Sequence, residues 1–186
     1  MPSDTRDRLT EAVLLSVREH GYAGTSMQDL LRDSGVSSSS AYHFFPGGKE
    51  ELVASAVRES GLAAASRIAD VLARLEIADA ITKIFDAAAA EMESHGYSLG
   101  CAIGVPAAET PSDSTAIQEA VSEVLTAWAD AYRDGLVAAG LDADTAARLG
   151  RFIVAAYEGS VMLARAIRST EPYRDAVAII TTQLPI

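Results

Sequence analysis

The 186-residue chain carries 15 Lys+Arg against 26 Asp+Glu (net charge −11), 49% apolar residues, 6% aromatics and one cysteine. That length suits one sizeable domain, or a small domain joined to a larger one, and a single cysteine excludes an internal disulfide framework. Apolar runs fall short of the ~20 residues of a membrane span, the polar stretch Met1 to Arg8 is not expected to be a signal peptide, and 35 alanines without alternating β-branched runs argue against a sheet. The expectation is a soluble, cytoplasmic, all-α protein with no membrane partner.

Taken in order, Leu9, Ala12, Val13, Ser16, Val17 and His20 form the first helical stripe, and Gly21 follows where a C-terminal cap needs φ > 0. Thr25-Ser26-Met27-Gln28 reads as a capping box with Thr25 as N-cap and Gln28 reaching back. The short helix it opens turns Met27, Leu30 and Leu31 inward and closes at Ser34-Gly35. Val36 is expected to be buried between two short helices, Ser37 caps the next one, and Pro46 ends it. From Lys49 a long helix carries Val53, Ala56, Val57, Ala64, Ile68, Val71 and Leu72 inside, interrupted at most by Gly61. Another spans about 77–94 with Ile77, Ile81, Ile84, Phe85, Ala88 and Met92. Gly96 to Pro111 holds only a short helix. Ile117, Val121, Val124, Leu125, Trp128, Tyr132 and Leu136 make one stripe that Gly140 ends, and residues 143–168 are apolar on nearly every side, as in a helix buried all round. A last helix covers about 172–184. The Pro46-Gly47-Gly48 break divides the chain into residues 1–47 and 48–186.

Enzymatic motifs do not hold up. Gly96-Tyr97-Ser98-Leu99-Gly100 matches the G-x-S-x-G nucleophile elbow, but that elbow joins a strand to a helix and needs a downstream His. Here a helix precedes it, and His20, His43 and His95 all lie upstream of Ser98. Glu91 and His95 share a helix face without a third metal ligand. Cys101 has no basic neighbour in sequence to lower its pKa. There is no P-loop or dinucleotide fingerprint, so no catalytic residue, metal or cofactor is expected.

Residues 25–51 carry the strongest signal. Two short helices joined by a tight glycine-containing turn make a helix-turn-helix, whose second helix enters the DNA major groove. That helix reads Ser37-Ser38-Ser39-Ser40-Ala41-Tyr42-His43-Phe44-Phe45, with hydroxyls at its start and Tyr42 and His43 facing away from a core made by Ala41, Phe44 and Phe45. A plain helical hairpin has no use for four consecutive serines. Charge points the other way. Residues 1–60 hold six cations against nine acids, and residues 61–186 hold nine against seventeen, so the basic footprint of a DNA binder is missing.

Thr25-Ser26-Met27-Gln28-Asp29-Leu30-Leu31, Gly35-Val36-Ser37, Ala41-Tyr42-His43-Phe44-Phe45-Pro46 and Lys49-Glu50-Glu51-Leu52 together resemble the N-terminal signature of tetracycline-repressor (TetR) family regulators. The Pro46-Gly47-Gly48-Lys49 spacing, Gly100-Cys101, Glu158-Gly159 and Leu163-Ala164-Arg165-Ala166 resemble the lincomycin-resistance-repressor-like branch. The resemblance implies a homodimeric repressor of about nine helices, three for DNA and the rest for a ligand pocket and dimer interface. It implies that Thr25 and Ser26 hold a phosphate, that Ser37, Ser38, Ser40, Tyr42 and His43 lie at the DNA, and that Lys49 touches a phosphate. Ser38-Ser39 replaces a common Lys-Gly of the family, which removes one phosphate contact. A pocket is implied among the fourth to eighth helices, with Ile84, Phe85, Met92, Val124, Trp128, Tyr132 and Tyr157 as the larger residues available for a small lipophilic effector. The all-round apolar helix and the last helix suit a four-helix dimer interface, where Ala155, Ala156, Gly159 and Ser160 permit close approach. Two rival readings remain at this point: a helical enzyme, for which no titratable pair has persuasive spacing, and a helical binding or interaction protein without DNA-binding activity.

Overall fold

Helices as short as the second and third are unstable alone, so caps and packing must hold them. In the computed structural model, which describes residues 2–110 and 114–184, α1 (Pro2–Gly24) buries Leu9, Val13 and Val17 along one stripe. Gly21 takes φ +80°, the left-handed conformation expected of it. The chain resumes a helical turn to Gly24, so the break is a kink rather than an end. Glu109 accepts the Tyr22 N–H beside the kink at 2.8 Å.

The cap of α2 (Met27–Ser34) lies one residue later than expected. Ser26, not Thr25, is the N-cap: its Oγ accepts from the Asp29 N–H at 3.2 Å and donates to the Asp29 carboxylate at 2.6 Å. Thr25 is buried because the kink brings its hydroxyl under the Gly21 carbonyl, to which it donates at 2.8 Å, and within 3.0 Å of Ser16 Oγ. Gln28 is exposed. Gly35, at φ +63°, closes α2, Val36 is buried, and Ser37 caps α3 (Ser38–Phe44) by accepting the Ser40 N–H.

Among the described residues, α4 (Lys49–Leu72), α5 (Ile77–Ser94), the short α6 (Gly104–Glu109), α7 (Thr115–Ala138), α8 (Ala143–Ile167) and α9 (Glu171–Thr181) complete an all-helical chain. Pro111 of the glycine-rich connector lies outside the described residues. No described helix is long and apolar enough to cross a membrane.

Packing groups the chain into residues 1–61 with 100–124, and residues 62–99 with 125–186. In the first unit, α1 packs against α2, α3 and α6. Gly100 clasps α1 twice, accepting from Arg18 Nε and donating to the Arg18 carbonyl, both at 2.9 Å. Gly61 meets Val124 so closely that an added Cβ would lie 2.3 Å from its Cγ1. In the second unit, α5, α8 and α9 pack together over Ile81, Phe85, Ile153, Tyr173 and Ile180. Here α8 departs from the expectation of burial all round. Ala146, Leu149, Ile153, Val161 and Ala164 face the core, whereas Phe152, Met162, Leu163 and Ile167 are at least half exposed. The chain itself supplies neighbours for one side of the helix only.

Candidate nucleic-acid interface and ligand cavity

The anchors of α3 are Ala41, fully buried, and Phe45, which ends it. With those two facing inward, Ser38, Ser39, Tyr42 and His43 are left exposed and Ser40 half-exposed. Tyr42 is 48% exposed, a large ring held in water on a seven-residue helix. The His43 ring stacks edge-on against Phe44, centroids 5.3 Å apart, which fixes its direction. Ser37 spends its hydroxyl on capping: it accepts from the Ser40 N–H and donates to Ser40 Oγ at 2.8 Å.

The expected phosphate residues fare differently. Ser26 sits half-exposed at the start of α2, its hydroxyl shared with Asp29. The Ser26 hydroxyl, and after it Arg32, hold the Asp29 carboxyl below its usual range. Thr25 has its hydroxyl turned inward and offers no side chain at the surface. Lys49 is half-buried: its ammonium donates to the Tyr22 carbonyl at 3.1 Å and lies 4.1 Å from the Tyr22 ring centroid. An ammonium has three donors, so two remain.

In the second unit, α4, α5, α7 and α8 enclose a cavity of about 290 Å³. Four of the expected residues, Ile84, Trp128, Tyr132 and Tyr157, come together on its wall with Ala64, Ile68, Val71, Ala87 and Val154. Phe85, Met92 and Val124 do not line it. Phe85 is wholly buried and supports the wall from behind, its ring edge-on to Tyr157 at 5.6 Å. Met92 is core, and Val124 belongs to the other packing unit, against Gly61. Tyr157 also meets Trp128 edge-on at 6.0 Å and Tyr173 at 6.4 Å, so four aromatic rings fix one another. Burial pushes the Tyr132 phenol far above its ordinary range, keeping it a neutral hydroxyl. Two wall residues escaped the sequence reading, Arg67 and Lys83. Each stands one position before a stripe residue, Ile68 and Ile84, and that adjacency was the only available signal.

The remaining motifs are structural. Ser98 donates to the His95 carbonyl at 2.8 Å as part of the turn after α5, and Gly100 is the clasp on α1. His95 caps α5, with Nδ1 3.0 Å from the Glu91 carbonyl. Among the described residues no three His, Cys, Asp or Glu side chains cluster to hold a metal.

Residues 16–56 match the model of bacterial regulatory proteins of the tetR family, and residues 77–178 match the C-terminal domain of LmrA/YxaF-like transcriptional regulators. The chain belongs to the TetR family. Its second match is to the branch expected from the sequence. An HTH-type transcriptional regulator of Mycobacterium tuberculosis is 29% identical over 189 residues, covering 97% of this chain and 96% of that one. The HTH-type transcriptional regulator LmrA of Bacillus subtilis is 28% identical over 170 residues, covering 91% and 90%. A TetR-family regulator structure from Agrobacterium tumefaciens superposes with TM-score 0.85 over the full length of both chains at 18% identity, which shows the shared fold. This TetR-family protein is therefore a transcriptional regulator with a DNA-binding helix-turn-helix, and not an enzyme.

Proposed function

We propose that this TetR-family regulator is a ligand-responsive repressor: it binds a palindromic operator as a cytoplasmic homodimer and is released by a small effector with a largely apolar body. The observation that carries the reading is the open face of α3, where Ser38, Tyr42 and His43 stand in solvent over a buried Ala41. A helix that needed only to pack would not keep Tyr42 half exposed beside two serines.

In this reading residues 1–47 bind DNA and residues 48–186 bind ligand and dimerise. Ser38, Ser40, Tyr42 and His43 meet base edges or sugar-phosphate in the major groove. Ser26 and Lys49 meet phosphate, Lys49 with the two donors that Tyr22 leaves free. Ser37 and Thr25 act as positioning residues, through the α3 cap and the Gly21 kink. The dimer forms on α8 and α9, where Phe152, Met162, Leu163, Ile167 and Ile179 would otherwise leave an apolar patch in water. The effector occupies the cavity walled by Ile84, Trp128, Tyr132 and Tyr157. Coupling runs through α4, which carries Lys49 in its first turn and the wall residues Ala64, Ile68 and Val71 toward its end. By linkage, effector and operator weaken each other by one common factor, typically ~5–150-fold.

Genome-wide mapping of the bound protein, followed by mobility shifts on the recovered sites, tests the reading. Enrichment of one inverted repeat, shifted by the native chain and not by Tyr42→Ala, is the expected result. Binding with no sequence preference, or none at all, would leave a helical ligand-binding protein without operator activity.

A further inference from the structure

An apolar wall alone would select a neutral ligand, but the cavity wall also carries charge of one sign. Arg67 on α4 and Lys83 on α5 are both exposed and both line the cavity, and no Asp or Glu does. Among the described residues neither has a hydrogen-bond or ion-pair partner. Arg133, by contrast, is paired with both Asp130 and Asp134. What sets Arg67 and Lys83 apart from the other cations of residues 61–186 is that both line one cavity to which no acid contributes.

The rest of the wall has the complementary character. Ala64 and Ala87 leave the space by being short, and Trp128 and Tyr157 offer rings already fixed against each other. At about 290 Å³ the cavity is at the small end of ligand sites, which run to roughly 300–1,000 Å³.

We propose that the cavity takes a small amphipathic organic anion, its charged head held by Arg67 and Lys83 and its aromatic or branched aliphatic body laid against Trp128 and Tyr157. This rests on the reading of the cavity as the effector site and narrows it, because the charge becomes a requirement for tight binding. The arrangement suits such a ligand physically. Guanidinium pairs in a fork with two anion oxygens, while the ammonium adds a mobile point charge. Both side chains reach water, so the head keeps part of its hydration and avoids the full cost of burying a charge. The body, in contact with the aromatic wall, supplies the desolvated area.

Trp128, the one tryptophan of the chain, lies on the wall and reports binding by its fluorescence. The probes are phenylalkanoates with two to five methylenes, their primary amides of matched shape, and the corresponding phosphonates. At least one acid is expected to give a saturable change with roughly tenfold or greater preference over its amide. The double variant Arg67→Gln/Lys83→Gln, at two exposed positions, should bring that acid down to the level of the amide while amide binding stays as it was. The phosphonate arm tells a carboxylate site from a phosphate site, and either head supports the anion assignment. Three results overturn it: amides that bind as well as acids, an acid preference that survives the double variant, or no acid that moves the Trp128 signal. A mobility shift separates this inference from the one beneath it. An acid that binds with the stated preference yet leaves operator DNA bound would refute the effector role and leave the anion site standing.

Discussion

Gly159 lies in the middle of the open face of α8, and a Cβ built on it meets nothing within 4 Å in the protomer. At 3.6 residues per turn, Phe152, Ala155, Met162, Leu163 and Ala166 share that face with it, and all five are exposed. A Gly159→Leu protomer therefore folds without a clash and gains about 0.8–1 kcal/mol of helix propensity. In a dimer built on this face the same leucine projects into the mate, once from each protomer. Overpacking costs ~1–3 kcal/mol per site. Two copies weaken the dimer by ~2–6 kcal/mol, roughly thirty-fold to ten-thousand-fold or more in dissociation constant. Sedimentation should find the variant as a monomer at concentrations where the native chain is dimeric. Its melting temperature should also lose the dependence on protein concentration that a native dimer shows. Gly150→Ala is the contrasting control. Its Cβ would lie 2.6 Å from the Ala129 carbonyl oxygen and 3.1 Å from the Arg133 nitrogen, backbone atoms of α7 that cannot rotate away. That variant should lose ~1–2 kcal/mol of folding stability net of its propensity gain, lowering Tm by roughly 2–4 °C for each kcal/mol. A Gly159→Leu protein that sediments as the native dimer would refute the interface, and so would a native chain that is a folded monomer at micromolar concentration.

Tyr42→Ala should weaken binding to the specific operator by ~1–3 kcal/mol and leave binding to random DNA nearly unchanged; unchanged operator affinity would remove Tyr42 from the interface. Lys49→Ala should weaken specific and random binding alike and flatten the log–log salt dependence by ~0.9, as loss of one phosphate contact requires. Gly21→Ala should destabilise the fold, because the residue sits at φ +80° and its Cβ would fall 2.5 Å from a Glu109 carboxylate oxygen; a thermal melt at or above the native value would show the kink to be dispensable. The Asp29 carboxyl, held below its ordinary value near 3.8, stabilises the start of α2 at and above that value, and the contribution is lost as pH falls through the lower folded value. Titration of Asp29 by NMR should place its midpoint under 3.8, and a midpoint at or above that value would contradict the cap network.

Helix boundaries were legible wherever a backbone constraint is written in one residue. Gly35 and Gly140 end α2 and α7 at positive φ, and Ser37 caps α3 as its position predicts. The cap of α2 was misplaced because Thr25 and Ser26 are equivalent as sequence, and only the Gly21 kink decides which hydroxyl turns inward. Wall residues divide on the same principle. Periodicity says that Phe85 and Ile84 lie on an inner surface, but adjacent residues are about a quarter-turn apart. That rotation puts Ile84 on the cavity and Phe85 behind it. Arg67 and Lys83 were passed over because charge at the edge of an apolar stripe reads as solvated surface until three other helices close around it.

The acidic composition takes on a definite meaning once the cations are placed. All six Lys and Arg among residues 1–60 have partners within the chain: Arg6 with Glu59, Arg8 with the Gly35 carbonyl, Arg18 with the Gly100 carbonyl, Arg32 with Asp29 and Asp33, Lys49 with the Tyr22 carbonyl and Arg58 with Glu123. Several of these hold the backbone that aims the second and third helices: Arg8 at the turn between α2 and α3, and Lys49 beside the Gly21 kink. Counterion release, which gives most DNA binders their affinity for any duplex, scales with the number of cations that neutralise phosphate. Here each must first share or give up an internal partner, so on the proposed reading the affinity for random DNA is expected to be low. In that reading, apart from the phosphate contact of Lys49, an operator is held mainly by neutral hydrogen bonding and shape, from Ser38, Ser40, Tyr42 and His43 on a helix that Ala41 and Phe45 fix in place. Those contacts depend on base identity and groove geometry. On the proposed reading, the same pairings that orient the helix-turn-helix therefore lower the background against which it must discriminate.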